Sequence, residues 1–194
     1  NAAPVAEDIA VSTAEDTSVV VMLRATDANN DSLTYSVTPP VHGTVTSYGT
    51  TYCTYQPSAN YNGQDSFTYS ARDGNAYSNI ATVTITISSV NDPPVTGQDT
   101  AWTEMGQPVT VSNVLANDWD IEGDAISVVS FTQPLHGTVS QAENNSFVYT
   151  PVADFNGRDN FTYTISDPQG ATAVGLVVIA VLATDEQVGS WPTM

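Results

Sequence analysis

The chain of 194 residues carries one long phrase twice. Tyr55-Gln-Pro-Ser-Ala-Asn-Tyr-Asn-Gly-Gln-Asp-Ser-Phe-Thr-Tyr69 returns as Tyr149-Thr-Pro-Val-Ala-Asp-Phe-Asn-Gly-Arg-Asp-Asn-Phe-Thr-Tyr163, 94 residues further on. Pro40-Val-His-Gly-Thr-Val45 returns at the same offset as Pro134-Leu-His-Gly-Thr-Val139. The opening Asn1-Ala-Ala-Pro-Val5 returns 90 residues on as Asn91-Asp-Pro-Pro-Val95. Such a repeat constrains the fold before anything else does. It divides the chain into two modules, 1–90 and 91–194, each of ordinary domain size and with room for a small core. A unit used twice suits a longer array, and the chain opens within a linker-like motif, as a piece of a larger polypeptide would. Serial use also favours a structural or binding role over a catalytic one.

Within each module the period is two. Leu33, Tyr35 and Val37 alternate with Thr34 and Ser36, and Val83, Ile85 and Ile87 alternate with Thr82, Thr84 and Thr86. Alternation rich in β-branched residues is the pattern of half-buried strands. Turn signals punctuate it: Asn29-Asn-Asp, Pro39-Pro, His42-Gly, Asn62-Gly and Asp73-Gly. About seven short strands per module predict an all-β fold, two tandem immunoglobulin-like Greek-key β-sandwiches. Pro93 and Pro94 predict a stiff connector at the boundary.

Charge excludes several partners. The net charge is -18, with 21 Asp and Glu against three Lys and Arg, all arginine: Arg24, Arg72 and Arg158. Phosphate backbones and anionic membrane surfaces need Lys and Arg, so nucleic acid and membrane surfaces are excluded as expected partners. No membrane span is visible. Cys53 stands alone, so no disulfide forms within the chain, and it is expected to be an inert strand residue. So many carboxylates repel one another unless divalent cations or a saline medium neutralise them.

The acids cluster. Asp27, Asn29 and Asp31 alternate in the first module; Asp118, Asp120, Glu122 and Asp124 alternate in the second. Hard oxygen ligands separated by turn residues suit Ca²⁺, which takes six to eight oxygens. The order of motifs around these runs resembles the tandem cadherin-like or bacterial Ig-like repeats of large bacterial surface adhesins. Ala14-Glu-Asp16 is similar to the Pro-Glu-Asn element, Ala25-Thr-Asp-Ala-Asn29 to Asp-x-Asp, Ala71-Arg-Asp-Gly74 to Ala-x-Asp-x-Gly, and Asn91-Asp-Pro-Pro94 to the end of the Asp-x-Asn-Asp-Asn linker. The second module offers Glu104, Asp118-Trp-Asp120 and Ser166-Asp-Pro-Gln-Gly170. The resemblance implies a secreted or cell-surface location and Ca²⁺ at the joint between modules. It implies as ligands Glu15, Asn91 by its carbonyl, Asp92, Asp118, Asp120, Asp124 and Asp167. Asp27, Asn29 and Asp73 would face a preceding module, and Glu104 a following one. The Asp-Arg-Glu element is missing, with Asn60 at the nearest matching place, and Pro93 stands where cadherins usually have Asn.

No nucleophile–base pair, phosphate loop or paired-carboxylate signature emerges, so an enzyme is not expected. His42 and His136 recur at one repeat position, as turn residues would. The leading expectation is a non-catalytic spacer of a surface adhesin or fibre with a Ca²⁺-stiffened joint. A glycan-binding module attached to a polysaccharide-degrading enzyme is the second, with Tyr48, Tyr52, Tyr61 and Tyr77 as a platform, though core filling explains such tyrosines better. The third is a self-assembling filament subunit. Its motive is the last strand, where Thr82, Thr84, Thr86 and Ser88 correspond to Leu176, Val178, Ala180 and Leu182. A strand apolar on both faces calls for a cover: the tail with Trp191, a neighbouring module, or an identical subunit.

Overall fold

The computed structural model describes residues 1–47 and 51–183; Tyr48 and Trp191 lie outside them. The chain forms two compact units, Asn1–Val90 and Asn91–Met194. The first holds β1 (Val5–Ala6), β2 (Ile9–Ala14), β3 (Val19–Met22), β4 (Ala25–Thr26), β5 (Thr34–Val37), β6 (Gly43–Ser47), β7 (Tyr52–Pro57), β8 (Gly63–Arg72) and β9 (Ala81–Ser88). The second holds β10 (Gln98–Glu104), β11 (Val109–Val111), a 3₁₀ turn (Val114–Asn117), β12 (Ser127–Phe131), β13 (Gly137–Gln141), β14 (Phe147–Pro151), β15 (Gly157–Ser166) and β16 (Thr172–Leu182).

Both units are the sandwich that the period-two pattern predicts. In the first, a sheet ordered β2-β9-β8-β5 pairs with one ordered β3-β7-β6, and β1 pairs with β4. In the second the sheets run β10-β16-β15-β12 and β11-β14-β13. The alternation is used literally. In β9, Val83, Ile85 and Ile87 enter the core while Thr82, Thr84 and Thr86 turn outward. Phe67 and Tyr69 of β8 and Tyr55 of β7 meet them, and Phe161, Tyr163 and Tyr149 repeat the arrangement. Each buried aliphatic side chain contributes about 1.5–3 kcal/mol relative to exposure. Cys53 is fully buried among them, and burial pushes its thiol up, which keeps it unreactive.

The repeated His-Gly-Thr has a packing reason. A Cβ on Gly43 would stand 2.6 Å from the Tyr55 ring and from the Gln56 carbonyl, so the tyrosine needs a glycine beneath it. The His42 ring stacks on Tyr61 at 4.2 Å, and His136 on Phe155 at 4.3 Å. The repeated Asn-Gly-x-Asp also works at long range. Asp65 accepts the Val41 and His42 amides at 3.3 and 3.0 Å and the Tyr55 hydroxyl at 2.7 Å, besides the local Ser66 amide. Asp159 does the same with Leu135, His136 and Tyr149.

The described tyrosines of the candidate sugar platform, Tyr52, Tyr61 and Tyr77, lie on different segments. Tyr61 is committed to His42, Tyr52 lies on β7, and Tyr77 bridges to Arg72 at the end of β8 in the other sheet. No helix among the described residues is long and apolar enough to cross a membrane.

Candidate metal centre

The two units build the same polar cluster from corresponding positions. The strand register supplies the correspondence. The Val5–Thr26 pair of the first unit reappears as the Val95–Trp119 bridge, so Asp27 matches Asp120, not Asp118. In the first unit Asp27 Oδ1 caps its own turn, accepting the Asn29 amide at 2.9 Å and the Asp31 amide at 3.0 Å. In the second, Asp120 Oδ1 accepts the Glu122 and Asp124 amides, each at 3.1 Å. An aspartate bonding its own backbone in this way fixes a tight loop whose side chains converge.

The segment that opens each unit closes the cluster. Asn1 Nδ2 donates to Asp73 Oδ2 at 2.6 Å, and the Ala2 amide to Asn29 Oδ1 at 2.7 Å. Asn91 Nδ2 donates to Asp167 Oδ2 at 2.7 Å, and the Asp92 amide to Glu122 Oε2 at 3.2 Å. Asp73 and Asp167 are both buried. Hydrogen bonds from the Ala76 amide, the Asn1 side chain and the Asn75 amide hold the Asp73 carboxyl below its ordinary value. The Asn91 amide group does the same for Asp167, against a smaller desolvation and with help from the Ala171 amide. Both groups are thereby kept as carboxylates.

The clusters differ in charge. In the first, oxygens of Asp27, Asp31 and Asp73 lie within 4.8 Å of one another. In the second, Ala2 is replaced by Asp92 and Asn29 by Glu122, which adds two carboxylates. Asp124 turns one oxygen to Gln169 Nε2 at 2.8 Å. Four side-chain oxygens of this cluster are buried without any partner: Asn91 Oδ1, Asp92 Oδ2, Asp120 Oδ2 and Glu122 Oε1. Asp120 itself is only 6% exposed. An unpartnered buried oxygen costs roughly 1–3 kcal/mol, more when charged, a cost that ordered water or a cation relieves. All are hard oxygens, three of them anionic, which is the donor set of Ca²⁺.

The residues expected as ligands by resemblance are placed differently from one another. Asp118 is diverted into the fold: its Oδ1 accepts the Gly97 amide at 2.8 Å and its Oδ2 the Tyr163 hydroxyl at 2.9 Å. Glu122, which the resemblance passes over, joins the cluster. Asn91 has its side-chain oxygen free, so it need not act by its carbonyl alone. Glu15 belongs to the first unit, where it follows β2; its amide donates to Ser88 O and its Oε1 accepts the Val90 amide, leaving Oε2 unpartnered. In the second unit the place of Glu15 is taken by Met105, whose amide donates to Leu182 O. Glu104 is the preceding residue, exposed at the last position of β10.

Beside Asp118, Asp99 Oδ2 also reaches the Tyr163 hydroxyl, at 3.0 Å. Burial pushes the Asp99 carboxyl up, opposed by the tyrosine hydrogen bond and reinforced by the Asp118 charge. The corresponding Tyr69 hydroxyl instead donates to backbone, reaching Glu7 O and Arg24 O at 2.5 and 2.7 Å.

Comparison with known proteins bears on the fold. The chain is similar to protein GAMETE EXPRESSED 2 of Arabidopsis thaliana, 41% identical over 75 residues that make up 39% of this chain and 8% of that protein. It is similar in structure to the EC1-4 region of Drosophila N-cadherin, at 13% identity over 93% of this chain and 49% of that one, with a TM-score of 0.50. It is also similar to an endo-fucoidan hydrolase of glycoside hydrolase family 107, at 23% identity over 94% of this chain and 29% of that one, with a TM-score of 0.42. The chain spans less than two thirds of each of these proteins, and at such identities the structural likeness shows the fold alone. The bacterial Ig domain family matches residues 1–86 and again residues 91–180, so the chain belongs to that family in both of its halves.

Proposed function

We propose that this chain is a non-catalytic pair of structural modules, a spacer of a bacterial surface adhesin or fibre, in which Ca²⁺ stiffens the joint between modules. The observation that carries it is the set of four unpartnered buried oxygens on Asn91, Asp92, Asp120 and Glu122. Three of these side chains are acidic, and a cation among them relieves both their repulsion and their want of a partner. Asp167 would complete the set, held in place by Asn91. Asp124 would contribute its remaining oxygen.

Chain continuity supports a role at the joint. Glu15 holds the Val90 amide, and Asn91 is the next residue along the chain. The residues that would hold the ion in the second unit thus begin one peptide bond after the segment anchored by Glu15. With Glu15 as a further ligand, bending the joint would cost part of the binding energy of the ion. Pro93 and Pro94 add stiffness of their own. Membership of the bacterial Ig family fits an extracellular place.

Thermal unfolding in Ca²⁺ and in EDTA tests the reading. Calcium should raise the melting temperature of the chain and have little effect on the Asp120→Asn variant. Melting that ignores both calcium and EDTA would show that these oxygens hold no ion.

A further inference from the structure

The outer face of the four-stranded sheet in the second unit is unlike its counterpart in the first. Along β16, Val174, Leu176 and Leu182 are exposed, with Val178 and Ala180 half-buried between them. Trp102 of β10 stands beside Ala180 and is 66% exposed. By the same register the first unit carries Thr82, Thr84, Thr86 and Ser88 on β9, with Ser12 where Trp102 stands. The fold therefore does not require apolar residues there.

The face also lacks the carboxylate excess of this acidic chain, as the corresponding face of the first unit does, but here the uncharged residues are apolar. The outward positions of β10, β12, β15 and β16 carry two charged groups, Arg158 and Glu104, which cancel, in a chain of net charge -18. At the acidic loops of either unit a second copy is repelled. On this face it meets aliphatic groups, a tryptophan and one charge of each sign.

We propose that this face binds a second copy of the chain in a two-fold dimer. The occupant follows from the charges. Arg158 on β15 sits opposite Ala180, and Glu104 on β10 sits opposite Leu182, on the two sides of β16. A two-fold axis running along β16 lays β15 of each copy over β10 of the other, because a two-fold interface is self-complementary. Arg158 of one copy then meets Trp102 and Glu104 of the other, twice over, around a centre of Leu176, Val178 and Ala180. Arg over an indole and Arg against a carboxylate are favourable contacts that a second copy supplies.

Sedimentation of the chain over a concentration series tests this. The expected result is a rise from 20.5 kDa toward twice that mass. Salt should strengthen the association, since it screens the repulsion of two acidic copies more than it weakens apolar contact. The Leu176→Thr, Val178→Thr double variant restores what the first unit carries, so it should fold, yet associate at least about tenfold more weakly. Arg158→Glu should weaken the dimer, and adding Glu104→Arg should recover it. A chain that stays monomeric throughout would overturn the proposal, as would a dimer indifferent to the threonine pair or to Arg158→Glu. A charge swap that recovers nothing would overturn the two-fold arrangement. A monomer that dimerises only after removal of residues 185–194 would assign the face to the chain's own tail.

Discussion

Asp65 and Asp159 show how much one side chain organises. Each gathers two amides from the preceding His-Gly turn, the amide of the next residue and a buried tyrosine hydroxyl. Burial pushes the Asp65 carboxyl up, but the Tyr55 hydroxyl and the Ser66, His42 and Val41 amides prevail and hold it below the ordinary carboxylate range. A folded-state value below the unfolded one gives stability that is complete above the unfolded value, about 3.9. That stability is lost as pH falls through the folded value. Asp65→Asn places an amide N–H₂ against donors and should cost about 1–3 kcal/mol at neutral pH, measured by denaturant unfolding. Its acid limb should also be shallower than that of the parent. Asp159→Asn should cost the second unit a similar amount. An unchanged midpoint would mean that the His-Gly turn is held by packing alone.

At the scale of elements, the strands were legible because a period of two states which residues face the core. β9 follows its sequence residue by residue. The oxygen-rich cluster was legible as a run of acids but not in register. Between Val111 and Asp120 the second unit inserts three residues relative to the first, since Val111 matches Val21 at an offset of 90 and Asp120 matches Asp27 at an offset of 93. The insertion is taken up around the 3₁₀ turn Val114–Asn117. It slides Asp118 into the place of Ala25, next to Tyr163. In a run with an acid at every second position, nothing in the sequence separates Asp118 from Asp120. The same kind of ambiguity put Glu104 in the place that Met105 occupies. The two acids can be told apart experimentally. Asp118→Asn should leave calcium affinity within about threefold, whereas Asp120→Asn should lower it by at least about tenfold, by isothermal titration. Equal losses would return Asp118 to the ligand set.

For the whole molecule, repetition of the fold hides a difference between ends. The second unit's opening cluster holds two carboxylates more than the first, while its far end has Met105 where the first unit has Glu15. A joint built after residue 183 would thus lack a Glu15 equivalent, and Met105→Glu should create one. In an array containing a third unit, that variant should gain calcium-dependent stabilisation that the parent lacks. At a calcium concentration a hundred times the dissociation constant, each ion should stabilise the folded chain by about 2.7 kcal/mol. The central claim concerns the joint, and it can be measured as a distance. Cys53 is fully buried, so probes can be placed at Ser12→Cys and Thr138→Cys, one exposed position in each unit. Pulsed spin-label distances between them should show a broad distribution in EDTA that narrows in calcium. A distribution of the same width in both would contradict a calcium-stiffened joint.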